Sequence, residues 1–453
     1  MATFSIENFG CRATDADAAA LRRDLLGNGL ALVEEHARAD VVVLNTCTVT
    51  AAADAQAREA VRKIRRANPA ARIVVTGCYA QRAPEEIAAV DGVDFVVGNS
   101  HQSVIGKLVL ESMVSSSAVF TEHQPASAKR DFLPLAVIGY EPMSLARGSA
   151  KILTGDIFAQ TSLSFALDSP IELDRTRPIL KIQDGCNNRC SYCVIPYVRG
   201  KSRSLPPDRV IAEIRGLVAA GAKEVVLSGI NLGSYGRDLT SRASLVATVR
   251  RILEETNLEQ LRFSSIEPQD VTEDFVNLVE SSPRIAPHFH VPLQSGSNKI
   301  LHAMHRWYRT EHYAERVSWI RRHSPDAAIG ADVIVGFPGE TDADFQETVD
   351  FIERSPLTYL HVFSFSARPG TEAAKFPAQQ QGKSGAIRER ARALRALGPK
   401  KTAEFRASQT GRTLRALTLA RTGDTWTEAL TGNYLKVRVA GQRPANQWCE
   451  VQV

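Results

Sequence analysis

Leu180-Lys181-Ile182-Gln183-Asp184-Gly185-Cys186-Asn187-Asn188-Arg189-Cys190-Ser191-Tyr192-Cys193 is the stretch that decides how this chain is read. Residues 179–182 predict a strand, and three cysteines follow it directly on a CxxxCxxC spacing. Three thiolates on one short loop can hold three irons of a [4Fe–4S] cubane, which leaves the fourth iron without a protein ligand. An open iron of that kind can take a small molecule through an amine and a carboxylate, a pair that methionine-derived cofactors present. Zinc is the competing reading. Structural zinc takes four nitrogen or sulfur ligands, commonly as two pairs, and no fourth Cys or His lies nearby. The spacing therefore favours the cluster.

Working outward, five more strand-like runs follow at 224–227, 261–266, 288–293, 331–335 and 360–365, with helical patterns between most of them. Six βα units predict an α/β core over 175–408, an open (β/α)6 relative of the eight-stranded barrel. The cysteine loop follows its first strand, which places the cluster at the C-terminal mouth. Upstream, residues 1–112 alternate strands (4–9, 41–44, 73–75, 95–97) with helices (16–26, 51–66), the pattern of βαβ units on a parallel sheet. Residues 113–174 open with Ser115-Ser116-Ser117 and lack sustained periodicity, so they read as a linker or insertion. A helix rich in Arg and Ala is expected over 383–408. Residues 409–453 then switch to short β runs at 414–420, 434–439 and 448–453, a small closing β module.

The totals agree with this plan. The chain has 453 residues, too many for one ordinary core, with 44% hydrophobic and 23% charged residues. No apolar run approaches the ~20 residues of a membrane span, so no membrane partner is expected. Met1–Glu7 carries no basic patch followed by an apolar stretch, so the expected location is cytoplasmic. Net charge is +5, which permits a nucleic-acid partner without demanding one. The seven cysteines are odd in number, which argues for metal or catalytic use rather than a disulfide framework.

Cys11, Cys47 and Cys78 are 36 and 31 residues apart, but each follows an expected strand. In a parallel sheet those strand ends share one edge, where ligands bind. The three thiols could converge on one metal centre, or be unrelated buried cysteines. His288 and His290 flank Phe289 and face one side of a strand, either as a metal pair or as satisfied core histidines.

The 186–193 segment resembles the radical S-adenosylmethionine signature, with Tyr192 at the aromatic position before the third cysteine. Gly10-Cys11, Asn45-Thr46-Cys47-Thr48-Val49-Thr50 and Gly77-Cys78-Tyr79-Ala80-Gln81 resemble the N-terminal domain of the methylthiotransferase family. The resemblance implies that Cys11, Cys47 and Cys78 hold a second, auxiliary [4Fe–4S] cluster and that Cys186, Cys190 and Cys193 hold the one that cleaves S-adenosylmethionine. One departure is visible, since Thr14 stands where the family often has Asn. Tyr192, Ser228, Gly229, Asn231, Glu267, Gln294 and Gly336 are the cofactor contacts it implies, although strand-end polar residues and glycines also serve as caps and turns.

Segments 180–203, 264–268, 290–296 and 304–308 resemble most the branch that modifies C2 of N6-threonylcarbamoyladenosine beside the tRNA anticodon. Isopentenyladenosine in tRNA and a ribosomal-protein aspartate are the alternative substrates within the family. An RNA-binding iron–sulfur protein without catalysis is the alternative outside it, and the open-iron cysteine count argues against that. The implied partners are a tRNA anticodon stem-loop and an electron donor such as flavodoxin or ferredoxin; no sulfur donor is specified. Residues 383–412 carry nine Lys/Arg against two Asp/Glu, and Arg199, Lys201 and Arg203 add a second basic set, so both are candidate phosphate contacts. The closing β module resembles a TRAM domain, an RNA-binding fold, through Thr431-Gly432-Asn433-Tyr434. Cys449 in its last strand reads as a small buried side chain.

Overall fold

The computed structural model describes residues 1–114, 150–161, 163, 173, 175–377, 382 and 384–453. The chain opens with β1 (Thr3–Asn8), β2 (Ala31–Leu32), β3 (Val41–Thr46), β4 (Arg72–Gly77), β5 (Phe95–Gly98) and β6 (Lys151–Leu153), in the order β2-β1-β3-β4-β5-β6, all parallel. All six residues of β3 are buried, as expected of a parallel strand covered on both faces. Val42, Leu44, Ile73 and Val75 pack with Val61 and Ile64 of helix Ala51–Ala67. Val41, Val43 and Val74 pack on the other face with Leu21 and Leu25 of helix Arg12–Gly27. Each such side chain contributes roughly 1.5–3 kcal/mol by leaving water.

The linker expectation for 113–174 needs correcting at one point. Residues 151–153 form β6 and extend the sheet beside β5, from Phe95↔Lys151 to Val97↔Leu153. A three-residue strand is too short to register as periodicity, and the two-residue β2 escapes for the same reason. Residues 115–149 of that stretch lie outside the described residues.

The central part contains β7 (Ile179–Asp184), β8 (Arg203–Ser204), β9 (Glu224–Gly229), β10 (Gln260–Phe263), β11 (His288–His290), β12 (Ala328–Val335) and β13 (Tyr359–Ser364). Two ladders, β10-β9-β7-β8 and β11-β12-β13, are joined by the parallel bridges Leu261↔Ile285 and Ser265↔His290. Six parallel strands thus curve into the expected open barrel, with β8 antiparallel on the outer edge of β7. The strand alternation is strict. Val225, Leu227, Leu261, Phe263, Phe289, Ala331 and Val333 pack outward into the main core. The intervening residues, among them Gln183, Ser228, Arg262, His288, His290 and Asp332, face the lumen. That leaves a polar interior inside an apolar shell.

Helix Ser384–Ser408 packs against β13 and adds Leu394 and Leu397 to the core. Four antiparallel strands close the chain: β14 (Thr413–Thr422), β15 (Trp426–Thr431), β16 (Lys436–Ala440) and β17 (Trp448–Gln452), in the order β16-β15-β14-β17. The sequence reading missed β15. Its alternation of Trp426, Glu428 and Leu430 with Thr427, Ala429 and Thr431 offers no regular apolar face. The module docks on the barrel through the fully buried Arg262, whose Nη1 donates to the Gly432 carbonyl at 2.9 Å. Tyr434 stacks on His288 with ring centres 4.2 Å apart.

Candidate active site between two cysteine sets

The loop after β7 is backbone-tight. Gly185 has φ of +69°, and a Cβ there would sit 2.0 Å from the Lys201 carbonyl oxygen, so only glycine fits. The loop is pinned on several sides. Cys186 N–H donates to the Gly200 carbonyl at 3.0 Å, Ser191 N–H to the Met304 carbonyl at 3.1 Å, and Ala373 N–H to the Ser191 carbonyl at 2.8 Å. The three thiols lie close enough to affect one another. Burial first, then Cys190, pushes the Cys193 thiol up to about 12, and burial raises Cys186 and Cys190 as well. Donors already reach the sulfurs: Asn188 N–H at 3.4 Å from the Cys186 Sγ, and Arg306 Nη1 at 3.3 Å from the Cys190 Sγ. Clustered soft donors ringed by N–H groups suit an iron–sulfur cluster, whose metal removes the thiol protons outright.

Cys11, Cys47 and Cys78 follow β1, β3 and β4, which are neighbours in the sheet, so their three loops leave one edge side by side. Gly10 has φ of +124°, and a Cβ on it would lie 3.2 Å from the Cys47 Sγ. Burial pushes the Cys47 thiol up to about 12, with Cys78 and Cys11 adding to it and Arg199 opposing. Cys78 is raised by burial too, and Asn99 Nδ2 approaches its sulfur at 3.6 Å. Three mutually close thiols with a cation and an amide beside them fit a second cluster on the same chemical grounds.

The two sets face each other. Cys78 packs against Val194 and Val198, directly after the CxxxCxxC loop. A cavity of about 200 Å³ opens between them. Val49 and Thr50, just past Cys47, form one wall, and Tyr192, Cys193, Val194 and Ile195 form another. Gln294, Asp332, Ile334, Phe363 and Phe365 complete it from the barrel side. Buried ion pairs fix the arrangement. Arg199 binds Asp17 at 2.7 Å and Asp184 at 3.1 Å, while Lys181 bonds Asp17 and reaches Asp184 at 2.7 Å. Burial alone would raise Asp184, but Lys181 and Arg199 outweigh it and hold that carboxyl below the usual range. Arg368 reaches across to Thr48 Oγ1 at 2.9 Å and to Asp54, tying the Cys47 loop to the segment after β13.

The strand-end residues expected to touch a cofactor gather unevenly. Asn231 places Nδ2 4.0 Å from the Cys186 Sγ, and its buried Oδ1 has no partner among the described residues. Ser228 is buried, and a Cβ on Gly229 would crowd Gln183 at 3.0 Å. Glu267 stands four residues past β10, and its carboxylate is held by Arg306. Gln294 lies past β11, at the bridge to Val333, with φ of +63°. Tyr192 lines the cavity and meets Phe337 edge-on at 6.4 Å. Gly336 is turned elsewhere: a Cβ on it would meet Ile387 of the long helix, and it does not line the cavity.

His288 and His290 do face one side of β11, and both rings meet the Tyr359 hydroxyl, at 2.8 and 3.1 Å. His288 Nδ1 has no partner among the described residues, and His290 stands with Asp332 and His361 in a trio whose side-chain nitrogen and oxygen atoms lie within 4.8 Å of one another. The sequence reading missed Asp332, whose Oδ1 accepts from His290 Nε2 at 3.0 Å and His361 Nδ1 at 3.2 Å. The available signal was an acidic residue at a lumen position of an otherwise apolar strand. Arg306 falls within the 304–308 segment, where the sequence pattern gives it no role of its own.

The second basic set needs correcting. Arg199 and Arg203 are buried against Asp17 and Asp184 and are not phosphate contacts; Lys201 alone is exposed. In the long helix, Lys401 is buried on the Glu353 and Ser355 carbonyls and Arg390 holds Glu340. Arg388, Arg392, Arg395, Lys400 and Arg406 remain exposed for an anionic partner. Cys449 packs at the edge of the module core, with its Sγ near the Ala416 carbonyl at 3.5 Å.

Comparison with known proteins agrees with this geometry. Residues 3–98 match the family described as "Uncharacterized protein family UPF0004", and residues 180–352 match the Radical SAM superfamily. The chain is 36% identical over 449 residues to a threonylcarbamoyladenosine tRNA methylthiotransferase MtaB of Aquifex aeolicus, covering 99% of both chains. It is 35% identical to the MtaB protein of Bacillus subtilis, covering 97% of this chain and 91% of that one. A tRNA-2-methylthio-N(6)-dimethylallyladenosine synthase of Syntrophobacter fumaroxidans is 35% identical over 82% of this chain and 75% of its own. Among solved structures, the radical S-adenosylmethionine methyltransferase TsrM of Kitasatospora setae superposes with a TM-score of 0.58 at 18% identity, over 84% of this chain and 78% of that one, a likeness of fold.

Proposed function

This chain belongs to the radical S-adenosylmethionine methylthiotransferases of the MtaB kind, and on that premise we propose that it adds a methylthio group to C2 of N6-threonylcarbamoyladenosine beside the tRNA anticodon. The observation that carries the reading is one cavity walled by Cys193 on one side and by Val49 and Thr50, on the loop that carries Cys47, on the other, which supports bringing radical chemistry and sulfur to the same space. When bound, clusters on Cys186, Cys190, Cys193 and on Cys11, Cys47, Cys78 would supply, with S-adenosylmethionine, the radical chemistry that opens the adenine C2–H bond and the sulfur that replaces the hydrogen.

The chain's own residues do the positioning. Tyr192, Phe363 and Phe365 offer flat apolar walls suited to a purine ring, and Val194, Ile195 and Ile334 keep water from it. Ser228, Gly229, Asn231 and Glu267 are assigned to the methionine cofactor because they surround the mouth beside Cys186 and Cys190. Buried ion pairs across the two halves hold the facing loops in register. The exposed arginines of the long helix and the β module supply sequence-independent attraction for the anticodon stem. A small electron donor such as flavodoxin or ferredoxin completes the reading. No helix among the described residues is long and apolar enough to cross a membrane, and the expected compartment is the cytoplasm.

Deleting the gene in its host and analysing tRNA nucleosides by mass spectrometry tests the reading. Loss of the methylthio form of threonylcarbamoyladenosine supports it, and an unchanged nucleoside profile contradicts it.

A further inference from the structure

Purine geometry dictates how an adenosine must lie in the cavity. The ribose leaves from N9, and the N6 substituent projects from the opposite end of the ring's long axis. C2 projects from the side. An RNA strand entering from solvent keeps its ribose at the mouth, so the N6 substituent is carried deepest while C2 faces a side wall. The side walls are the two cysteine loops, through Thr50 and Cys193. The lumen side carries Gln294 and Asp332.

That end of the cavity is built for hydrogen bonding. Asp332 is a carboxylate: burial works against its charge, but hydrogen bonds from His290 and His361 outweigh burial and hold it below the usual range. His361 bonds Asp332 through Nδ1 at 3.2 Å and stands, half exposed, outside the residues that line the cavity, so it fixes the carboxylate from its flank. Gln294 gives an independent sign. It is 9% exposed, its Oε1 has no partner among the described residues, and its backbone is held at φ of +63°. A buried orphan acceptor on a left-handed non-glycine residue marks a ligand-facing position.

Resting on the substrate reading above, and taking Gln294 for the substrate rather than for the cofactor contact the resemblance implies, we propose that Asp332 and Gln294 recognise the threonylcarbamoyl arm on N6 and exclude an apolar N6 substituent. The arm carries a ureido group, a hydroxyl and a carboxylate, which supply both donors and acceptors. An isopentenyl group would strip water from Asp332 and Gln294 and return nothing. Sites that hydrogen-bond a substrate group reject analogues lacking it far more strongly than apolar pockets reject an added one. His361, His290, Tyr359 and His288 are positioning residues: His361 and His290 hold Asp332 directly, Tyr359 and His288 support them, and none of the four lines the cavity.

The test uses holoenzyme with both clusters and three synthetic anticodon stem-loops bearing threonylcarbamoyladenosine, isopentenyladenosine or plain adenosine. Binding and methylthiolation are measured for wild type, His361→Leu, His361→Gln and Asp332→Asn, each matched for iron content. Wild type is expected to prefer the threonylcarbamoyl RNA over plain RNA. His361→Leu and Asp332→Asn should each lower that preference about ten-fold, the effect of one lost polar hydrogen bond. His361→Gln, which keeps a donor and an acceptor, should retain part of it. A preference that survives intact in both His361→Leu and Asp332→Asn overturns the assignment of these residues. A wild type that methylthiolates isopentenyl RNA and not threonylcarbamoyl RNA overturns the substrate reading itself, and the arm pocket with it.

Discussion

Arg306 places its Nη1 3.3 Å from the Sγ of Cys190. The same side chain, 4% exposed, holds Glu267 through its other terminal nitrogen. An N–H donor to a cluster thiolate favours the more negative, reduced state and so raises the reduction potential. Arg306→Gln is therefore expected to lower the potential of the cluster on Cys186, Cys190 and Cys193 by roughly 60 mV, one tenfold change in a one-electron equilibrium. A redox titration followed by electron paramagnetic resonance reads this directly. An unchanged potential in a variant with full iron would mean that the contact is only structural.

Gly185 tests whether the loop conformation is required for metal. An alanine there meets the left-handed backbone cost of roughly 1–2 kcal/mol and also a carbonyl oxygen 2.0 Å from its Cβ. Gly185→Ala is expected to lose about four of roughly eight irons per chain, those of the CxxxCxxC site. Gly29→Ala is the control, because it shares a positive φ of +81° but meets nothing within 4 Å. Iron content equal in the two variants would show that the Gly185 turn does not shape the site.

Asp344 gives the pH dependence a defined sign. It accepts from Ser297 Oγ at 3.0 Å and Lys299 Nζ at 2.7 Å, and it closes a capping box with Thr341 at the start of helix Asp342–Arg354. Burial would raise its carboxyl, but the hydrogen bonds from Lys299 and Thr341 outweigh it and bring it down to about 2 from an ordinary 3.8. A depressed carboxyl pKa gives stability that is fully present above 3.8 and is lost as pH falls through about 2. Denaturant midpoints of wild type should therefore drop more steeply over that window than those of Asp344→Asn. Parallel slopes would contradict the assignment.

The sequence exposed the parts of this protein that repeat or cluster locally. Cys186, Cys190 and Cys193 share one loop, and the apolar runs of β3, β4, β7 and β9 announce parallel strands. Strand-end topology left Cys11, Cys47 and Cys78 as either one metal centre or unrelated buried cysteines, and the family resemblance favoured the centre; in the structure their strands β1, β3 and β4 are adjacent. Long-range pairing was not legible. Nothing near Arg199 says that its partner is Asp17, 182 residues away, so a buried ion pair looked like a phosphate contact. His361 and Asp332 are 29 residues apart on adjacent strands, and only the β12–β13 register brings them together at Asp332↔His361. The short strands β2 and β6 carry too few residues for any period to show.

The central claim is that both cysteine sets serve one cavity and one RNA base. It is tested most directly by reconstituting the enzyme anaerobically and supplying S-adenosylmethionine, a reductant and a threonylcarbamoyladenosine stem-loop, then weighing the nucleosides. Wild type should yield the base heavier by one methylthio group, and Cys47→Ala and Cys193→Ala should each yield none. Full methylthiolation by Cys47→Ala, or no methylthiolated product from wild type carrying both clusters, would contradict the account.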